Sequence, residues 1–402
     1  MIHWLFLPRS ETKVLLPKQR GDTVGVRWGE GGTVRGVRDT RTRAEMAQSW
    51  KKSFSLTFRG LGGAAVGIGQ LSALNRRQGC PEDPQALQSP RQWLRSSRPV
   101  GPVNKSKITM KRSELVKRYR IAENQGFRLA DVKPADTWKI KSKDHAQEWL
   151  EKGVARLSEL QERLYAQNQW AVLLIFQAMD AAGKDGTIKH VMSGVNPQGC
   201  EVASFKAPSV EELNHDFLWR TTRRLPERGR IGIFNRSYYE EALVVRVHPE
   251  LLARQKLPPS LITKDIWRER FEDINTFERY LTRNGVLVRK FFLHVSKQEQ
   301  RQRFLSRLEL PEKNWKFSLD DMRERQKWGA YMRAYEDVIR HTATDYSPWY
   351  VVPADHKWFT RLVVAEVIVD ALESLDLSYP KVSAAKRKEL AAVRTALRIS
   401  KA

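Results

Sequence analysis

Residues Trp170-Ala-Val-Leu-Leu-Ile-Phe176 form an unbroken apolar run, and seven positions later the chain reads Gly183-Lys184. A run of this length bounded by polar residues suits a strand buried on both faces, as in a parallel sheet covered by helices. The segment that follows, Gln177-Ala-Met-Asp-Ala-Ala-Gly-Lys-Asp-Gly-Thr187, leads into a helix. Strand, glycine loop, lysine and helix is the layout that cradles phosphate: backbone N–H groups and the helix N-terminus face the anion, and the lysine adds a movable positive charge. Ala182, Gly183, Lys184, Asp185, Gly186 and Thr187 are therefore the candidate phosphate-binding residues. The G-x-x-x-x-G-K-[ST] pattern is not met in full. Ala178 stands in place of the first glycine, Asp185 in place of the hydroxyl residue, and Thr187 comes two places later. An ordinary turn opening a helix would also carry Gly-Lys-Asp-Gly; position after the most apolar stretch of the chain is what sets this one apart.

Asp180 lies inside that loop. A carboxylate there repels a phosphate unless a divalent cation stands between them, so one reading makes Asp180 a Mg²⁺ ligand, and the other makes it a turn cap. A second strand, Ile231–Phe234, runs into Asn235-Arg236-Ser-Tyr-Tyr-Glu240. In open α/β sheets ligands sit beyond the carboxyl ends of strands, which places Asn235 and Arg236 in the crevice of the phosphate loop. Arg236 there would stabilise charge on a transferring phosphoryl group, with Arg246 joining it one to two turns on. Further apolar runs at Val202–Phe205, Val286–Val295 and Trp349–Val352 read as strands. Amphipathic segments at His145–Asn168, Val210–Arg224, Asp265–Asn284, Lys297–Leu308, Leu319–Arg340 and Lys357–Leu375 read as helices. The alternation predicts one α/β domain with a parallel sheet wound on both faces.

At this point the chain resembles the polyphosphate kinase 2 family over roughly residues 127–378. The resemblance is carried by Asp180–Thr187, Ser193-Gly-Val-Asn-Pro-Gln-Gly199, Phe205-Lys-Ala-Pro208, Phe234-Asn-Arg-Ser-Tyr-Tyr-Glu240, Arg246-Val-His-Pro249 and Trp349-Tyr-Val-Val-Pro-Ala-Asp-His-Lys-Trp358, in that order. It implies a three-layer α/β/α P-loop kinase-like fold with a parallel five-stranded sheet and a helical lid at about residues 297–345. It implies phosphoryl transfer dependent on Mg²⁺, with Mn²⁺ as a substitute, between inorganic polyphosphate and nucleotides. The acceptors would be AMP going to ADP and ADP to ATP, as in the dual-acceptor subgroup, with guanine nucleotides as further candidates. Asp180, Lys184, Arg236 and Arg246 would be catalytic, Asp180 holding the metal, with Asn235 and Glu240 on the nucleotide side. Other members carry Asp where Asn235 stands, and an amide is a weaker Mg²⁺ ligand than a carboxylate. A homo-oligomer is expected.

Gln300–Lys316 is rich in cations, and Arg303, Lys313 and Lys316 are the candidates for contacting polyphosphate. A basic helix is often only a solvated face, but a long polyanion beside a phosphate crevice needs such a lid. Its binding would be steeply salt-dependent, by the same counterion release that governs nucleic acids. His190, His248, His294 and His356 lack metal-ligand spacing and read as structural or surface residues.

Charge separates the remaining classes. The chain has 402 residues and a formal net charge of +25, which favours polyanionic partners in general. Residues 1–105 hold irregular glycine clusters and much of that basic excess, with no helical or strand period, and read as an extension outside the folded domain. Residues 106–380 are the domain and 381–402 a basic tail. Two rivals remain: an ATP-dependent P-loop kinase of a small metabolite, and a basic nucleic-acid-binding protein. The second lacks any RNA-binding signature, so nucleic acid is not the expected partner. Two cysteines cannot form a disulfide framework, and no apolar run reaches the roughly 18 residues a membrane helix needs. A cytoplasmic enzyme that does not meet the membrane is expected.

Overall fold

The computed structural model describes residues 105–399 except 124, 125, 139 and 141. The N-terminal extension inferred for 1–105 lies almost wholly outside the described residues.

The chain enters through helix α1 (Lys105–Tyr119) and strand β1 (Arg120–Ile121), then α2 (Lys143–Gln167) and β2 (Ala171–Gln177). Next come α3 (Lys184–Val191), β3 (Cys200–Ser204), α4 (Trp219–Thr222), β4 (Ile231–Asn235), α5 (Glu240–Val247) and α6 (Ile266–Arg283). The last part holds β5 (Val286–His294), α7 (Lys297–Glu309), α8 (Leu319–Gln326), α9 (Trp328–Thr342), β6 (Trp349–Pro353), α10 (Lys357–Glu373) and α11 (Ala384–Ile399). The sheet order is β1-β6-β5-β2-β4-β3.

The five expected strands are present and parallel, with β2 paired to β5 on one side and β4 on the other. The sheet has a sixth member that the sequence reading did not contain: two-residue β1, antiparallel to β6 at the edge. Every residue of β2 is buried, as its unbroken apolar run requires. Crossover connections between the parallel strands carry the helices, as parallel pairing requires. On one side α10 packs against α1, α2 and α3; on the other α9 packs against α5 and α6. Helix α10 carries the most apolar contribution, with Leu362, Val363, Val364, Val367, Ile368 and Val369 all fully buried.

Two helix expectations are corrected. Val210–Arg224 is not one helix: it contains a single 3₁₀ turn, Glu212–Asn214, and the four-residue α4. Short polar side chains capture the backbone there. Ser209 Oγ accepts from Glu212 N at 3.2 Å and Asp216 Oδ1 accepts from Leu218 N at 2.9 Å, local bonds that compete with continuous helix. Leu319–Arg340 is split at Lys327 into α8 and α9. The basic tail inferred for 381–402 is helical over α11, and every residue from Lys381 to Arg398 is exposed.

Candidate active site

The carboxyl ends of neighbouring β2 and β4 bring the two motifs together. Arg236 N donates to Phe176 O at 3.0 Å, stitching the start of one loop to the end of the other strand. Both loops contain a non-glycine residue in the left-handed region, Ala181 at φ +60° and Arg236 at φ +65°. Gly183, at φ +106°, caps α3 in a conformation that an L side chain rarely adopts. Strained backbone of this kind persists only where its surroundings over-determine it, and it concentrates at functional sites.

The charged groups then interlock. Arg236 donates through Nη2 to Asp180 Oδ1 at 3.2 Å and through Nη1 to Glu240 Oε2 at 3.4 Å. Glu240 first, and Asp180 after it, raise the Arg236 pKa above its ordinary value, so the guanidinium is permanently charged. Lys184 folds back, its Nζ donating to Ala178 O at 2.9 Å. Desolvation, with the Arg236 charge second, lowers the Lys184 pKa below the usual lysine range. Asn235 Nδ2 donates to Asp185 Oδ1 at 2.6 Å, tying the second loop to the first turn of α3. Asp180, Lys184, Asp185, Asn235, Arg236 and Glu240 thus form one cluster. Ala182 and Thr187 are buried behind it, and Gly186 has open space where a Cβ would stand.

Arg246 stands apart from that cluster. It leaves α5 toward α9, donating through Nη2 to Asp337 Oδ2 at 2.7 Å, and its Nη1 is buried without a hydrogen-bond partner.

The lid splits into two kinds of cation. Arg303 is not on its open face, contrary to the sequence expectation, and is only 8% exposed. Its Nη1 donates to Ala181 O at 3.0 Å and Ala182 O at 2.6 Å, and its Nη2 to Ala354 O at 2.6 Å and Asp355 O at 3.1 Å. It clamps the phosphate loop from behind, and Gln300 adds a bond from Nε2 to Asp180 O at 2.9 Å. Lys316 is exposed over the Trp315 ring, and Lys313 is half-buried. Sequence reasoning missed two further cations on the first turns of α10. Desolvation chiefly, then the charges of Arg303, Arg361 and Lys313, lower the pKa of Lys357, and desolvation lowers that of Arg361. Lys357 lies in the Trp349–Trp358 stretch quoted above, and the signal for both was position just after the last strand, where ligand-facing groups emerge.

A cavity of about 400 Å³ opens beside β3, lined by Ser204, Phe205, Trp219, Arg220 and Arg223 among others. Phe205 N donates to Asn235 O at 3.1 Å, so the cavity wall is continuous with the second loop. The imidazole of His215 stacks on Trp219 at 3.9 Å and Arg223 lies over the same ring at 4.7 Å.

A phosphate loop after the central strand, an arginine-bearing loop beside it and a helical cover define a P-loop kinase-like phosphotransferase. The comparisons specify which. The family model described as polyphosphate kinase 2 matches residues 140–380, and the chain belongs to that family. It is 55% identical over 282 residues to the ADP-polyphosphate phosphotransferase of Rhodopseudomonas palustris, covering 70% of this chain and 98% of that protein. It is 44% identical over 274 residues to the AMP/ADP-polyphosphate phosphotransferase of Meiothermus ruber, covering 68% of this chain and 98% of that protein. The crystal structure of polyphosphate kinase 2 from Arthrobacter aurescens TC1 superposes with a TM-score of 0.63 at 38% identity, covering 69% of this chain and 96% of that one.

Proposed function

We propose that the chain transfers phosphoryl groups between inorganic polyphosphate and adenine nucleotides, both AMP and ADP serving as acceptors. The observation that carries this is the Asp180–Arg236–Glu240 chain of ion pairs joining the phosphate loop to the end of β4. It holds the Arg236 guanidinium between the carboxylates of Asp180 and Glu240 beside the phosphate loop, which supports a role in neutralising charge during phosphoryl transfer. Such chemistry depends on positioning and electrostatics and needs no covalent intermediate.

In this reading the loop N–H groups and Lys184 hold one phosphate group, and Arg236 neutralises the group in flight. Lys313, Lys357 and Arg361 lead the polyphosphate away along the lid and α10. The nucleotide enters from the β3 side, past Asn235 and Glu240, with the cavity at Phe205 and Trp219 receiving it. Arg246, paired with Asp337, supports the site through α9.

The residues present fit Mg²⁺. Among the described residues there is no cluster of three or more His, Cys, Asp or Glu for a fully protein-bound metal, and Mg²⁺ bound with phosphates asks for only one or two carboxylates. Asp180 would hold it, while the Asn235 amide donates through Nδ2 to Asp185. When bound, the ion would supply positive charge to offset the negative charge of the phosphate groups.

No helix of the described residues is long and apolar enough to cross a membrane, and a cytoplasmic location, where nucleotide pools lie, belongs to the same proposal. So does self-association: β3 is an edge strand with Val202 half exposed, an edge that a second copy can meet.

The test mixes purified protein, Mg²⁺, long-chain polyphosphate and AMP and follows the nucleotides by chromatography. ADP followed by ATP is the expected result. ADP alone rejects dual acceptance. Inert polyphosphate with ATP acting as donor to a small metabolite would replace this reading with the other kinase class.

A further inference from the structure

The turn that presents Arg236 and Glu240 is anchored at a point away from the phosphates. Tyr238 and Tyr239 follow Arg236 almost directly, and both phenol hydroxyls donate to one carboxylate oxygen, Oε1 of Glu278 on α6, at 2.8 Å each. The other oxygen, Oε2, accepts from Lys290 Nζ on β5 at 2.6 Å. Lys290 also donates to Thr342 O at the end of α9 at 2.6 Å and to Tyr239 Oη at 3.1 Å. Glu278, Lys290 and Tyr239 are 0% exposed and Tyr238 is 1% exposed. A single buried carboxylate therefore joins the catalytic turn to α6, β5 and α9.

Stability alone is a poor reason for this arrangement. A buried ion pair recovers in attraction about what it loses in hydration, and an apolar pair of equal volume is often no worse. What the carboxylate supplies, and an apolar side chain cannot, is a fixed acceptor for two hydroxyls. The backbone it steadies is the strained one: Arg236 sits at φ +65°. Ser237 Oγ accepts from Tyr239 N at 3.1 Å within the turn, and from Gln177 Nε2 at the end of β2 at 3.3 Å. These bonds fix the turn's shape and tie it to β2, and the tyrosine hydroxyls fix its seat on the core.

We propose that Glu278 and Lys290 are positioning residues for phosphoryl transfer, holding Tyr238 and Tyr239 and through them the angle at which the Arg236 guanidinium meets the transferring group. They touch no substrate. The inference rests on the role proposed above for Arg236.

The experiment measures kcat, KM for polyphosphate and for nucleotide, and melting temperature across five variants. Tyr238→Phe/Tyr239→Phe keeps both rings packed and removes only the hydroxyls. Its kcat falls about tenfold, with both KM values within about twofold of wild type. Glu278→Gln/Lys290→Met removes both charges yet keeps an acceptor oxygen for the tyrosines, whereas Glu278→Leu/Lys290→Met removes the acceptor as well. The Gln/Met variant retains several-fold more kcat per folded molecule than the Leu/Met variant. A purely structural network would lower the melting temperature and leave kcat per folded molecule equal in all three. That equality overturns the proposal. Glu278→Gln alone keeps the acceptor oxygen and retains kcat per folded molecule close to that of the Gln/Met variant; a value as low as that of the Leu/Met variant would overturn the proposal. Arg236→Ala with wild-type kcat would overturn the underlying role of Arg236, whereas an impaired Arg236→Ala beside equal kcat in the other three variants overturns only the positioning role.

Discussion

Replacing Arg303 by Ala separates a clamp from a polyphosphate ligand. The guanidinium serves four backbone carbonyls, two of them at 2.6 Å, and bridges the phosphate loop to the residues after β6. Hydrogen bonds to charged donors contribute about 1.5–3 kcal/mol each. Counting only the two short ones, Arg303→Ala costs about 4 kcal/mol. For a domain of this size that corresponds to a fall of roughly 10 °C in melting temperature. Because Ala181, whose carbonyl is one of the four acceptors, is held at φ +60°, the loop loses its shape and kcat falls along with stability. Arg303→Lys, which keeps the charge but not the fork, recovers less than half of either. Differential scanning fluorimetry and a polyphosphate-driven ADP-to-ATP assay measure the two effects. An unchanged melting temperature with KM for polyphosphate raised tenfold would refute the clamp, and would mean that the side chain faces the polyanion.

Other expectations follow from the same geometry. Lys184→Ala lowers kcat by at least about 100-fold with little change in melting temperature, since its visible bond is a single contact to Ala178 O. Because desolvation lowers the Lys184 pKa, the alkaline limb of kcat/KM in the wild type falls below the usual lysine range, and Lys184→Arg moves that limb upward. KM for long polyphosphate rises steeply with salt, and Lys357→Ala/Arg361→Ala reduces the slope of log KM against log salt by roughly one to two. His294, buried at the end of β5, has its pKa pushed down to about 4 by desolvation. The unfolded chain takes up that proton near pH 6.5, so stability is full above this value and is lost as pH falls toward 4. Urea denaturation should show about 2 kcal/mol lost between pH 7 and pH 5 from this residue, a loss that His294→Gln removes.

The parallel strands were legible because burial on both faces leaves no room for polar alternation, and 171–177 shows this most plainly. The phosphate loop was legible for a related reason: glycine, lysine and a helix start have to follow such a strand closely. Asn235 and Arg236 could be placed because the ends of parallel strands share one edge. The parts that were missed depend on long-range partners. Helix α1 has low amphipathicity of its own, and its Leu115, Val116 and Tyr119 become core only against α10. The direction of the Arg303 side chain could not be read from a basic helix, because its acceptors lie 51 to 122 residues away in sequence. Glu278 and Lys290 carried no signal at all, since a lone charge in an amphipathic segment and another in a strand look like surface positions until they meet.

The register of the central strand has a consequence for synthesis of the chain. Strand β2 gains one neighbour only when Ile231 and its successors have emerged, and the other only at Val286 and beyond. At about 5–20 residues per second, the most apolar segment waits for several seconds or more after its own translation before its second edge is covered. During that interval it is a bare template for pairing with any other nascent strand. Slowing translation between residues 177 and 286, or depriving the cell of holding chaperones, should therefore lower the yield of soluble enzyme far more than the same change made after residue 353.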